Sequence, residues 1–186
     1  HMASIKVLGI CGSLRAKSYN RSALLAAAEL MPADMQLTIA EYGDVPLFNQ
    51  DVQAQGIPAP VTRLAEAVSA ADAVLIASPE YNFSVSGVLK NAIDWLSRVP
   101  APPFKDKPVA ILSATMGPLG GGRHQYELRK ILGCQDALVL VKPEIFINVA
   151  HTKFDAEGKL TDESTRKALA DQMVALQRWV ARLAPR

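Results

Sequence analysis

Cysteine is scarce in this chain, with Cys11 and Cys134 the only two. A single pair builds no disulfide framework, and the two lie too far apart in sequence for a metal-binding motif. Both read as ordinary small core or near-surface residues. Blocks of like charge are missing as well. Twenty Lys and Arg against eighteen Asp and Glu leave a formal net charge of +2, and the cations are dispersed. Affinity for nucleic acid comes from clustered phosphate contacts, so nucleic acid is not the expected partner. No apolar run approaches the about 20 residues needed to span a bilayer, and no charged n-region with an apolar core opens the chain. The expectation is a cytoplasmic protein without membrane insertion. Repeats, linkers and low-complexity segments are also lacking. With 186 residues and 49% of them apolar, residues 3–186 are expected to form a single domain around a sizeable core, and His1-Met2 reads as a cloning scar.

What the chain does contain is an alternation of short apolar runs and helix-period segments. Strands are expected at residues 5–10, 36–40, 73–77, 109–113 and from 137 to 141. Helices are expected at 22–30, 60–69, 88–97, 123–132 and 162–183. The first of these has Leu24, Leu25, Ala28 and Met31 on one face and Asn20 or Ser22 as N-cap. The stretch "YGDVPLFNQDVQAQG" reads as a loop. Five strands each followed by a helix predict an α/β fold: a doubly wound, flavodoxin-like parallel sheet, order 2-1-3-4-5, covered by helices on both faces. Such sheets bind ligands at the carboxyl ends of their strands. The loops after strands one, three and four are the three most unusual stretches in the sequence.

The first loop, "GSLRAKSYN", lacks the Gly-Lys-Ser/Thr ending of a Walker A motif and the G-x-G-x-x-G dinucleotide fingerprint. It offers Ser13, Ser18 and Asn20 with Arg15 and Lys17, next to the amides of a helix start, which suits a single terminal phosphate. An ordinary polar loop with an N-cap is the plainer alternative. Cys11 to Lys17 also has the spacing of a cysteine phosphatase loop, but Lys17 stands where a bidentate guanidinium is needed. In the second loop, "SPEYNFSVSG", Pro79 holds Ser78 extended, and Tyr81 and Phe83 are aromatic residues in a turn. Glu80, Asn82 and the backbone amides suit the edge of a heterocycle. Tyr81 and Phe83 suit a subunit interface or a cap on the core equally well. The third loop, "SATMGPLGGG", has four glycines in six residues, which let a backbone approach a flat ring closely.

"GSLRAKSYN", "PEYNFS" and "GVLKNAIDWLSR", together with "GGGRHQYELRKIL" and "KPE", resemble the NADPH-dependent FMN reductase family and within it the bacterial quinone and chromate reductase branch. The resemblance covers essentially the whole chain. It implies FMN as cofactor, with the phosphate held by Ser13, Arg15, Ser18 and Asn20, and Tyr19 among the contacts. The isoalloxazine would lie beside Pro79, Glu80, Tyr81 and Asn82. Ala114 stands where family members often have Ser, so Ser113, Thr115 or the backbone near Gly117 is expected to take over that contact. NADPH or NADH would reduce the flavin in a ping-pong cycle, and a quinone, azo compound or oxidised metal anion such as chromate would reoxidise it. The flavin carries the hard chemistry, so no catalytic side chain and no metal are expected. His124 and His151 read as structural or surface residues. The resemblance also implies a homodimer or homotetramer. Arg123 and Tyr126, three apart on a helix, would form a polar contact between subunits with Glu144. Trp95 reads as interface or as core. The alternative function is a flavodoxin-type FMN electron carrier without nicotinamide turnover, although such carriers resemble acidic proteins, unlike this slightly basic chain.

Overall fold

The computed structural model describes residues 4–184. His1 and Met2, read above as a cloning scar, lie outside the described residues, as do Ala3, Pro185 and Arg186. The elements in chain order are β1 (Ile5–Cys11), α1 (Tyr19–Leu30), β2 (Met35–Ile39), α2 (Gln50–Ala54), α3 (Ala59–Ala70), β3 (Ala73–Ala77), β4 (Glu80–Tyr81), β5 (Ser84–Val85), α4 (Gly87–Leu96), β6 (Pro108–Ala114), α5 (Gly122–Cys134), β7 (Leu138–Val139), β8 (Ile145–Ile147) and α6 (Glu163–Leu183). The main sheet is parallel in the order β2-β1-β3-β6-β7, with β8 also paired to β6. With the split strand counted once, this is the doubly wound 2-1-3-4-5 order expected from the sequence.

The sheet is buried on both sides, which is why its strands read as unbroken apolar runs. The two faces differ in bulk. Ala73, Ala77, Ala110 and Ala114 point to one face, where α1 lays Ala23, Ala26 and Ala27 against them and α6 adds Leu169, Met173 and Leu176. Small residues on both sides let α1 lie close to the sheet. Val74, Ile76, Val109 and Ile111 fill the other face under α3, α4 and α5. Trp95 belongs to this second core and is fully buried. Its indole N–H donates to the Pro46 carbonyl at 2.8 Å, and Phe48 meets it edge-on at 5.0 Å. Trp95 therefore anchors the long segment after β2 to the core.

Three features depart from the sequence expectation. The loop after β2 contains a short helix, α2, capped by the Asn49 side chain on Asp51 N–H at 2.8 Å. The second loop is a β-hairpin, β4–β5. The fifth strand is broken into β7 and β8. Pro143, which has no N–H to give a ladder, sits between them. Two buried glutamine amides reach the backbone at the break. Gln172 Nε2 donates to the carbonyls of Ile111 at 2.9 Å and Pro143 at 3.3 Å, and Gln125 Nε2 donates to that of Ile145 at 2.8 Å. Among the described residues no helix is long and apolar enough to cross a membrane.

Helix α6 starts at Asp162, whose Oδ2 accepts from Thr165 Oγ1 at 2.6 Å, Thr165 N–H at 2.9 Å and Ser164 Oγ at 2.9 Å. These bonds, the Thr165 hydroxyl first, hold its carboxyl down to about 2 from an ordinary 3.8. The folded value lies below the unfolded one, so the cap's contribution is complete above about pH 4 and is lost as pH falls through about 2. Between pH 4 and pH 2 the melting temperature of Asp162→Asn should therefore fall less steeply than that of the wild type, as circular dichroism melts will show. Equal slopes would remove this cap from the acid response.

Candidate functional site

Three strand ends are tied side by side. Gly12 N–H donates to Ala77 O at 2.7 Å, and Ser78 N–H donates to Leu112 O at 3.2 Å. The Ser86 hydroxyl, at the cap of α4, reaches across to Gly12 O at 2.6 Å. The loops leaving β1, β3 and β6 thus meet at one edge, as the topology requires.

In the first loop Ser18 is the N-cap of α1, where Asn20 or Ser22 was expected; its buried hydroxyl accepts from Asn20 N–H at 3.2 Å. Ser13 Oγ accepts from Arg15 N–H at 3.3 Å. The backbone N–H groups of Leu14, Ala16, Lys17 and Tyr19 have no acceptor among the described residues. The exposed Arg15 guanidinium lies 5.8 Å from the centre of the Tyr19 ring, which itself rests on Phe154 at 5.4 Å. Free amides, cations and a helix N-terminus converge here, a donor set for an anion. Cys11 lies buried beneath the loop, and burial pushes its thiol pKa up. A phosphatase nucleophile needs the opposite shift, so the geometry adds nothing to that alternative.

The second loop turns tightly between β4 and β5. Asn82 and Phe83 both have positive φ, 51° and 68°, as a type I′ turn demands. Asn tolerates this backbone readily, whereas Phe adopts it rarely. The Arg123 guanidinium lies 3.8 Å from the centre of the Phe83 ring, and Arg123 Nε donates to Glu80 Oε1 at 2.5 Å. The other carboxylate oxygen of Glu80 accepts from His124 N–H at 3.1 Å, at the start of α5. The Glu80 side chain is only 7% exposed. It clamps the hairpin to a helix N-terminus, where a carboxylate is favoured.

In the third loop the Ser113 hydroxyl is buried, donating to Gly120 O and accepting from Gln125 Nε2 at 2.7 Å. Both contacts are internal, which leaves Thr115 and Gly117 as the nearer candidates for the expected contact. Gly121, at φ 82°, has Ser113 and His124 so close that a Cβ would sit 2.7 Å from Ser113 Cβ. Backbone bonds hold the loop to the segment after β8: Thr115 N–H to Ile147 O, Ala150 N–H to Thr115 O and Val149 N–H to Gly117 O. The N–H groups of Met116 and Gly117 remain without an acceptor among the described residues. His124 is fully buried, with Nδ1 2.8 Å from Gly121 O and Nε2 unpaired. Burial holds its pKa below 6.5.

Between the loops lies a cleft of about 290 Å³, lined by Ser13, Arg15, Ser18, Tyr19 and Asn20 from the first, Pro79, Glu80 and Tyr81 from the second, and residues 114–117 from the third. Of the residues singled out from the sequence for this site, Asn82 stands exposed at the hairpin turn and Ser113 is buried behind the lining. Sequence reasoning missed Met116, an exposed apolar residue on the lining, for which a glycine-rich loop gives no signal beyond its own flexibility. Of the three residues expected at a subunit contact, Tyr126 and Glu144 meet within the chain at 2.8 Å, with Lys142 on the other Glu144 oxygen at 2.6 Å. The Lys142 bond first, then Tyr126, holds the Glu144 carboxyl low. Arg123 stands apart from that pair, on Glu80 and Phe83.

The residues present fit FMN: anion donors in the first loop, an aromatic ring from Tyr81 and an apolar side chain from Met116, and unused backbone donors in the third loop for a polar ring edge. Comparisons with known proteins agree. Residues 5–152 match the family model described as NADPH-dependent FMN reductase. The chain is 51% identical over 179 residues to an NAD(P)H-dependent FMN reductase of Pseudomonas aeruginosa, covering 96% of this chain and 97% of that one. It is 42% identical over 182 residues to a quinone reductase of Escherichia coli, with 96% and 97% covered. Among solved structures it is similar to the flavoenzyme NAD(P)H:(acceptor) oxidoreductase FerB from Paracoccus denitrificans, with a TM-score of 0.87 at 32% identity, covering 96% of this chain and 98% of that one.

Proposed function

The chain belongs to the NADPH-dependent FMN reductase family, and from that premise we propose that it is an FMN-dependent NAD(P)H oxidoreductase acting on quinones. Azo compounds and oxidised metal anions such as chromate are proposed as further acceptors. The observation that carries the reading is the three-loop cleft, which brings anion donors, the Tyr81 ring and free backbone donors together in one place. When bound, FMN takes a hydride from the nicotinamide and hands the electrons on to the acceptor.

The protein's part is binding and orientation. Arg15 and Ser13, with the free amides of the first loop, would hold the phosphate, and Ser18, the N-cap of α1, would shape the helix start beside it. Tyr19 supports the Arg15 guanidinium from below. Pro79, Glu80 and Tyr81 would border the ring, and the N–H groups of Met116 and Gly117 would be available to its polar edge. Thr115 stands beside them in place of the family's serine. Asn82 shapes the hairpin that carries Tyr81. His124 is fully buried and lies off the cleft lining, and burial lowers its pKa.

We further propose a single domain over residues 3–186, a cytoplasmic protein and a homodimer or homotetramer. Tyr126 is 58% exposed and bonded to the largely covered Glu144, and as a unit they offer a polar contact to a second copy. Arg123, held on Glu80 and Phe83 a turn earlier in α5, is proposed as a further contact to that copy.

Steady-state kinetics test the function. Initial rates with NADPH and a naphthoquinone should depend on added FMN and give parallel double-reciprocal lines. Turnover unaffected by complete FMN removal would overturn the reading.

A further inference from the structure

Asn20 lies in the first turn of α1 and Ala114 at the end of β6, and both are about 2% exposed. The Asn20 carboxamide bonds to Ala114 twice: Nδ2 donates to Ala114 O at 2.9 Å, and Oδ1 accepts from Ala114 N–H at 2.9 Å. Together the two bonds close a ring in which a side-chain amide takes the part of a backbone peptide.

The sheet explains why one is needed there. In a strand, successive residues turn their N–H and C=O to opposite neighbours. Thr115 gives its N–H to Ile147, on the β8 side. The polar groups of Ala114 therefore face the β3 side, where pairing ends at Ala77 opposite Leu112. Beyond that point the chain gives one last bond, from Ser78 N–H to Leu112 O, and turns away into the β4–β5 hairpin. Unpaired, the two groups of Ala114 would be buried without partners, a costly arrangement. Asn20 extends the ladder by one residue. Among the described residues, these two bonds are also the only hydrogen bonds that join the first loop and α1 to the third loop.

We propose that Asn20 is a positioning residue: its amide fixes the third loop against the first and so sets the spacing between the phosphate end and the ring end of the cleft, instead of ligating the phosphate. This role rests on the cleft being the FMN site. The shape complementarity it maintains serves the whole cofactor, not its charged end alone.

FMN and riboflavin share a ring system, and only FMN carries the phosphate, so the two separate positioning from phosphate ligation. Their dissociation constants are measured by flavin fluorescence quenching on apoprotein of the wild type, Asn20→Ala, Asn20→Leu and Arg15→Ala. Positioning predicts that both Asn20 variants weaken FMN and riboflavin by the same factor, at least about tenfold. Arg15→Ala should weaken FMN and leave riboflavin nearly unchanged. A loss confined to FMN in the Asn20 variants would overturn the proposal. Amide hydrogen exchange on wild-type apoprotein decides it without any variant. The Ala114 N–H should be protected before any flavin is added, and rapid exchange there would refute the bridge. If wild-type protein binds neither flavin, the FMN reading fails and this role falls with it, whatever the exchange data show.

Discussion

Gly12→Val should give a protein of lower stability that no longer retains FMN. Gly12 is the first residue beyond β1, and both its backbone groups are engaged, the N–H with Ala77 O and the C=O with the Ser86 hydroxyl. A Cβ built at this position stands 2.5 Å from Ser78 Cβ and 3.0 Å from Ser78 Cα, and it also meets Ser78 Oγ. A rotamer change cannot relieve contacts with Cβ and Cα. Ser78 cannot easily withdraw, because its N–H is bonded to Leu112 O and Pro79 follows it. One of the two loops must move. Overpacking of this kind costs about 1–3 kcal/mol, equivalent to about 2–12 °C in a domain of this size. The displaced loop also carries either the proposed phosphate donors or Pro79 and Glu80, so FMN affinity should fall by more than about 100-fold when two loops lose register. Thermal melts and an FMN titration measure both effects. Gly12→Ala should shift each in the same direction by less. Wild-type FMN affinity in Gly12→Val would show that the cleft does not depend on the seam between these loops.

Glu80→Ala should release the hairpin from α5. The carboxylate accepts from Arg123 Nε and from His124 N–H, and its side chain is 7% exposed while that of Arg123 is 46% exposed. Loss of a helix-cap acceptor costs about 0.5–2 kcal/mol, and the half-exposed ion pair adds less than a buried one would. The larger consequence is local. Phe83 holds a strained positive φ under the Arg123 guanidinium, and Arg123 is oriented by Glu80. Without Glu80 nothing else among these contacts holds Arg123 over the ring, and the strain, about 1–3 kcal/mol, favours opening of the turn. Tyr81 then loses its fixed place beside the cleft. A total loss of about 1–2 kcal/mol in global stability is expected, with FMN affinity reduced at least about tenfold. Glu80→Gln keeps the volume and one acceptor, so it should fall between. In a double-mutant cycle, Arg123→Ala should add little to Glu80→Ala. Full additivity would mean that the two side chains act separately.

The sheet was legible in the sequence because burial on both faces leaves an unmistakable mark: 73–77 was read with its exact bounds, and most helix ends fell within a few residues. The broken fifth strand was not legible. Its second half, Ile145–Ile147, is three residues long, too short for a period to register; Gln125 of α5 bonds Ile145 O, and Gln172 of α6 bonds Pro143 O just before it, both distant in sequence. The α2 helix is five residues long with no buried side chain, so it has no apolar face to betray it. At the site, the residue types were legible and their duties were not. Ser13, Arg15, Tyr81 and Gly117 do line the cleft. Asn20 stands in the first loop among the residues that the resemblance gives to the phosphate, and only the fold shows its amide bonded twice to Ala114. Glu80 looked like a ring contact, while its strongest bonds run to a helix forty-odd residues on. A polar side chain announces that it will bond, but its partner is fixed by the fold.

The most direct test of the central claim is the anaerobic visible spectrum of the FMN-reconstituted protein, taken before NADPH, after NADPH, and again after a naphthoquinone. An NADPH-driven quinone reductase predicts flavin bands that bleach promptly with NADPH and return with the quinone. Bands that persist through NADPH, yet bleach when a separate reductase protein supplies the electrons, would contradict the account and make the protein an electron carrier.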